Sequence, residues 1–134
     1  MIYVLDACAM IALLLREPGE EVVWAHLLEK DATCFAHSLN LCEVFYDFYR
    51  DSGEAAAVEA IEDLRWLGVV ERNDLDEMFW REAGTLKGAH RRVSLADCCA
   101  IALTKRVGGT LLSSDHHELD PLAGLGVCPI TFIR

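Results

Sequence analysis

The chain alternates short apolar segments with longer segments in which apolar residues recur every three or four positions. The first apolar segment, residues 3–5, predicts a buried strand that ends at Asp6. Residues 7–16 are apolar almost all round and predict a buried helix, which Pro18 and Gly19 end. The other predicted strands are residues 33–36, 69–70, 110–113 and 129–133.

The segments between these strands have helical periodicity and recognisable start signals. Ser38 predicts the N-cap of one helix, because its hydroxyl can accept a hydrogen bond from a free backbone N–H. Asp74 with Glu77, and Ser94 with Asp97, have the spacing of a capping box and predict two later helix starts.

Regular alternation of strands and helices predicts an α/β fold with a parallel sheet of about five short strands and helices on both faces. With 134 residues, 53% of them hydrophobic, we expect one domain over residues 1–134. No apolar segment is long enough to span a membrane, the N-terminus does not resemble a signal peptide, and no cysteines form a Cys-x-x-Cys pair. A cytoplasmic location is therefore expected.

The formal net charge of −10 counts against a protein that binds nucleic acid over its whole surface. It allows an acidic site that works through bound cations, and it favours a basic partner protein. The densest basic segment, residues 87–92, contains Arg91 and Arg92. These two are candidate contacts to substrate phosphates, although a helix C-terminus enriched in cations would look the same.

Four acidic residues are the candidates for chemistry. Asp6 and Asp115 follow predicted strands, and ligands of open parallel sheets bind outside the carboxyl ends of the strands. Glu43 and Asp97 stand beside strongly apolar segments, where an unpaired charge is costly. Each could be an ordinary capping or surface acid, but together they suit Mg²⁺ or Mn²⁺, which prefer carboxylate oxygens and can activate a water to cleave a phosphodiester.

Four segments contain the candidate acids in order along the chain: residues 4–10, 40–44, 94–102 and 111–115. In these segments the sequence resembles the motifs of the PIN-domain nucleases, and most of all those of their VapC-type toxin branch. The resemblance implies a three-layer α/β/α sandwich and a Mg²⁺- or Mn²⁺-dependent endoribonuclease acting on RNA. It also implies a homodimer and an antitoxin protein as partner.

The same resemblance assigns roles to individual residues. Asp6 and Asp97 would be the principal metal ligands, Asp115 would complete the metal site, and Glu43 would bind directly or through water. Supporting roles fall to Asn40, Ser113 and Asp120.

Position 8 departs from the family pattern. Cys8 stands where Ser or Thr is usual, and a thiol is a poorer hydrogen-bond partner than a hydroxyl. This departure and the acidic charge keep open the alternative of a non-catalytic PIN-fold binding domain. A second alternative, with the same chemistry, is a non-toxin PIN nuclease of RNA processing or decay. His116 and His117 lack further ligands at a telling spacing, so we expect them in a solvated loop.

Overall fold

The computed structural model describes residues 1–134, with seven helices around one sheet of five strands. No helix in it has both the length and the apolar character needed to cross a membrane. In chain order the elements are β1 (Ile2–Leu5), α1 (Ala7–Leu15), α2 (Glu20–Leu27), β2 (Thr33–His37), α3 (Ser38–Ser52), α4 (Glu54–Trp66), β3 (Val69–Arg72), α5 (Glu77–Ala89), α6 (Leu95–Val107), β4 (Thr110–Ser113), α7 (His116–Gly124) and β5 (Ile130–Phe132).

All neighbouring strands are parallel, in the order β3-β2-β1-β4-β5. The predicted α/β fold with a parallel sheet is therefore confirmed. Strand β1 lies at the centre, where Val4 pairs in register with Phe35 of β2 and with Leu111 of β4. The chain builds outward on one side of β1 and then on the other, so the loops after β1 and β4 diverge and leave a crevice at their carboxyl ends.

The sheet divides the hydrophobic core into two halves because side chains alternate along each strand. Tyr3 and Leu5 of β1 pack into the half covered by α1, α2, α3 and α4, whereas Val4 packs into the half covered by α5, α6 and α7. All three side chains are buried, with at most 5% exposure. The three-layer α/β/α arrangement is thus confirmed, and the doubly covered strands explain their apolar sequences.

One helix falls where the sequence led us to expect a loop. His116 and His117 begin α7, and Leu119 and Leu122 of this helix are buried in the core. Asp115 is its N-cap, because the carboxylate accepts a hydrogen bond from the backbone N–H of Glu118. The expectation of a solvated loop was wrong, although both histidines are exposed on the helix surface.

Two predicted helix caps were also wrong. The N-cap of α3 is His37, whose Nδ1 accepts from the N–H of Leu39, while the Ser38 hydroxyl donates to Glu71. Asp74 does not cap α5, because its carboxylate binds the guanidinium groups of Arg72 and Arg106 instead. Charged hydrogen bonds to two arginines are stronger than one bond to a backbone N–H.

Candidate active site

Two acids stand at the carboxyl ends of the central strands. Asp6 follows β1 and caps α1 by accepting a hydrogen bond of 2.9 Å from the N–H of Ala9. Asp115 follows β4 and caps α7 by accepting a bond of 3.0 Å from the N–H of Glu118. Because β1 and β4 are paired neighbours, both carboxylates face the same crevice of the sheet edge.

Two helices bring further acids to this edge. Glu43 lies on α3 and is half-buried, while Asp97 lies in the first turn of α6 with 8% exposure. The Asn40 amide donates a bond of 3.2 Å to the carbonyl of Ala96, which joins α3 to the start of α6. The Ser94 hydroxyl accepts from the N–H of Asp97 at 3.1 Å, as its capping-box spacing predicts.

The tightest group of acids contains one residue that the sequence reasoning missed. Carboxylate oxygens of Asp97, Asp115 and Glu118 lie within 4.8 Å of one another. Glu118 comes from the first turn of α7, and its Oε2 accepts a bond of 3.3 Å from the N–H of Ser94. The spacing of Asp115 and Glu118 is that of a capping box, so this signal was present in the sequence.

Burial and the neighbouring negative charges raise the pKa of several of these acids. Burial raises the pKa of Asp6 to about 7, and the charges of Asp115 and Glu43 add to the rise, while the Ala9 N–H and the nearby Ser113 hydroxyl oppose it. Burial also raises the pKa of Asp97, whose carboxyl is close enough to Glu118 for the two to share a proton. That shared proton lowers the pKa of Glu118.

Burial and the nearby negative charges also raise the pKa values of Glu43 and Cys8. Burial raises the pKa of Glu43, with further rises from the charges of Glu118 and Asp115. Burial raises the pKa of the Cys8 thiol to about 12, and the nearby carboxylates, including Asp6 and Asp97, reinforce this. The sulfur of Cys8 is therefore a neutral thiol among the acids in the metal-free protein.

Two buried oxygens in this region have no hydrogen-bond partner. They are Oδ2 of Asp6 and Oδ1 of Asn40, and both side chains are completely buried. Such orphaned acceptors are costly unless a donor or a cation satisfies them. A group of carboxylates with an unsatisfied buried oxygen fits Mg²⁺ or Mn²⁺, which take oxygen ligands. The donor set contains no arrangement of nitrogen or sulfur ligands that would favour zinc.

The structure also places the other residues singled out from the sequence, Ser113, Asp120, Arg91 and Arg92. Ser113 is completely buried, and its hydroxyl accepts a bond of 3.0 Å from the N–H of Asp115, so it fixes the turn that carries this acid. Asp120 is not brought into the cluster, since it is exposed and binds Nδ1 of His116 at 2.9 Å. Arg91 and Arg92 are exposed on the turn before α6, next to Glu118 in a shared cleft.

The family model described as PIN domain matches residues 3–124. No curated protein matches the chain.

Solved structures with a similar fold include VapBC2 from Rickettsia felis, bound to a DNA fragment from its promoter, at 15% identity and a TM-score of 0.74 over 98% of both chains. VapBC-1 from nontypeable Haemophilus influenzae is 17% identical, with a TM-score of 0.73 over 99% of this chain and 98% of that one. VapC20 from Mycobacterium tuberculosis, a toxin that cleaves the sarcin-ricin loop, is 20% identical, with a TM-score of 0.70 over 90% of this chain and 95% of that one.

Proposed function

This chain belongs to the PIN-domain family, and from that premise we propose that it is a Mg²⁺- or Mn²⁺-dependent endoribonuclease and the toxin of a type II toxin–antitoxin system. The observation that carries the proposal is the convergence of acids at the carboxyl ends of β1 and β4, around a buried Asp6 oxygen without a partner. Metal-free, this arrangement stores electrostatic repulsion, which a divalent cation would relieve. Residues 1–134 would form a single nuclease domain.

The metal would be held mainly by Asp6, Asp97 and Asp115, with Glu43 binding directly or through water. When bound, such an ion supplies Lewis acidity, lowering the pKa of a bound water and stabilising charge on a phosphate oxygen. Glu118 shares the tightest oxygen group with Asp97 and Asp115, so we add it to the proposed ligands.

The surrounding residues would act by holding these carboxylates in place. The Asn40 amide fixes α3 against α6, which sets the separation of Glu43 and Asp97. Ser113 fixes the backbone of Asp115. Asp6, Asp97 and Asp115 are attached to a helix start or a strand end, and Glu43 lies within α3. The fold therefore sets the positions of these carboxylates before the substrate arrives, as preorganised catalysis requires.

Partners are proposed from the fold and the charge. VapBC structures share the fold, and a net charge of −10 favours a basic partner, so we propose a cognate antitoxin protein. We also propose a homodimer, which a molar-mass measurement in solution would test.

The test is cleavage of a mixed RNA pool by the purified protein in EDTA, in Mg²⁺ and in Mn²⁺. We expect cleavage only with metal, and we expect Asp97→Asn to abolish it. Asp120→Asn is the matched control, because Asp120 is an acid on α7 that lies outside the cluster. Equal cleavage by wild type and Asp97→Asn would refute the nuclease proposal.

The toxin role has a separate test. Expression of the wild-type chain should slow growth, and co-expression of the neighbouring gene product should restore it. An active enzyme whose expression is harmless would instead be a PIN nuclease of RNA processing or decay. A folded protein that binds no divalent ion by calorimetry and cleaves no RNA would be a non-catalytic binding domain.

A further inference from the structure

A cleft of about 220 Å³ opens directly beside the acid cluster. Glu118 belongs to both, since it lines the cleft and shares the tightest oxygen group with Asp97 and Asp115. The rest of the lining is of two kinds. Arg91, Arg92 and His117 are its exposed polar members, and Pro121 and Leu122 form part of an apolar wall. We call this feature the basic cleft.

Arg91 and Arg92 differ from every other arginine of the chain. Neither has a carboxylate within 4.0 Å, whereas the other seven of the nine arginines each form an ion pair. In a protein with ten excess negative charges, free guanidinium groups are scarce. Both lie at the cleft next to the proposed reaction centre, and this placement points to an anionic ligand.

The turn that carries these arginines is held in place. The Lys87 ammonium donates to the carbonyls of Arg91 and Val93 at 2.9 and 2.7 Å. The N–H of Ser94 donates to Glu118, which ties the end of the turn to α7. The Lys87 cation is thus used to fix the backbone, and the two guanidinium groups are left to face solvent and the cleft.

Arg92 is also anchored through its side chain. Its guanidinium donates to Nε2 of His117 at 2.8 Å, and the ring must be the acceptor because a guanidinium has only donors. This bond spans the cleft between the turn and α7. A guanidinium held in one orientation loses less conformational freedom when it binds a phosphate, so His117 is a positioning residue for Arg92.

Resting on the proposed function, we propose that the basic cleft binds one unpaired RNA nucleotide adjacent to the scissile phosphate. Arg91 and Arg92 contact its phosphate, and the exposed ring of Pro121 contacts its base. Glu118 repels the phosphate from the inner end of the cleft, so the phosphate lies at the outer end. A cleft of this size favours a single splayed-out nucleotide, and an unpaired base can also stack on a guanidinium plane.

The test is fluorescence anisotropy with a labelled single-stranded RNA dodecamer of mixed sequence in EDTA, where metal-dependent cleavage is blocked. The double variant Arg91→Gln, Arg92→Gln should weaken binding on the order of tenfold at low salt. The slope of log K against log salt should fall by about 0.7, since the two arginines neutralise one phosphate and each neutralised phosphate of a single strand contributes about 0.7. The matched control is Arg65→Gln, Arg81→Gln, which removes two ion-paired, exposed arginines and should change binding less than about twofold.

A second pair of variants tests the positioning role of His117. His117→Gln keeps a side-chain acceptor for Arg92 and should bind nearly as well as wild type, whereas His117→Leu should bind several-fold more weakly. With metal, the arginine variants should raise KM for RNA and leave kcat nearly unchanged. An unlabelled RNA duplex should compete poorly against the single strand.

Three outcomes would overturn the inference. They are equal losses in the cleft and control double variants, an unchanged salt slope, or competition by duplex as strong as by single strand. Failure of the nuclease proposal is distinguishable. RNA binding that depends on Arg91 and Arg92, without cleavage in Mg²⁺ or Mn²⁺, would refute the nuclease proposal and support RNA binding in the basic cleft. Metal-dependent cleavage with an unchanged KM in the arginine variants would instead support the nuclease and refute the cleft as an RNA-binding site.

Discussion

The substitution Asp6→Asn should stabilise the metal-free protein as the pH rises. Asp6 is completely buried, and its pKa is raised from 3.8 to about 7 in the folded state. Between these two values the unfolded chain releases a proton that the folded chain keeps, so the folded state loses stability with rising pH. Over about 3 pH units, at about 1.4 kcal/mol for each, the loss approaches about 4 kcal/mol above pH 7.

An asparagine at position 6 cannot titrate, and it remains a good N-cap for α1. The difference in unfolding free energy between Asp6→Asn and wild type should therefore grow by up to about 4 kcal/mol from pH 4 to pH 8. Urea unfolding in EDTA across this range measures it, and the change with pH is independent of any constant cost of the substitution. Asp63→Asn, an exposed acid on α4, is the matched control and should give a flat difference.

A divalent ion should reverse the order of stability of wild type and Asp6→Asn at pH 8. Wild type should gain stability in Mn²⁺ at pH 8, because binding to the folded state adds to its free energy of unfolding, and Asp6→Asn should gain much less. A pH profile of the asparagine variant parallel to that of wild type would refute the reasoning, since Asp6 would then not be the group that titrates.

Three further substitutions test the neighbourhood of the acids. Glu118→Gln should weaken Mn²⁺ binding in calorimetry by about tenfold or more, because it removes one carboxylate of the tightest group; unchanged binding would exclude Glu118 as a ligand. Ser94→Ala should lower the free energy of unfolding by about 1 kcal/mol through loss of the α6 cap, which denaturant titration measures, and a neutral result would contradict that cap. Cys8→Ser should raise the rate of metal-dependent RNA cleavage, because a hydroxyl is the better hydrogen-bond partner in the cluster; a lower rate would show that the thiol itself contributes.

Much of the fold could be predicted from the sequence because its signals are local. The five strands are short apolar segments between helix breakers. A strand covered by helices on both faces of the sheet is recognisable from a short apolar run alone. The missed helix α7 has a different cause. Its first residues are two histidines and its interior contains Pro121, so propensity argues against a helix, and burial of Leu119 and Leu122 outweighs that.

The candidate site was predictable only as far as each acid belonged to a motif. Asp6 and Asp115 could be placed because they directly follow strands. Glu118 has the capping-box spacing from Asp115, but without a predicted helix this spacing does not separate it from Asp120, which also follows Asp115 within a few residues. On a helix, a residue three positions after Asp115, such as Glu118, lies close to it, whereas one five positions after, such as Asp120, lies on another face. Only the existence of α7 therefore decides between the two acids.

The central position of β1 determines when the site can first exist during synthesis. Strand β1 is made before every other element of the fold, yet its second edge stays open until β4 is made more than a hundred residues later. Asp115 and Glu118 follow β4 immediately, so no shorter nascent chain contains the tightest group of acids. A nascent chain is therefore inert until Glu118 has been made, and a partner that recognises the completed crevice can bind only after that point.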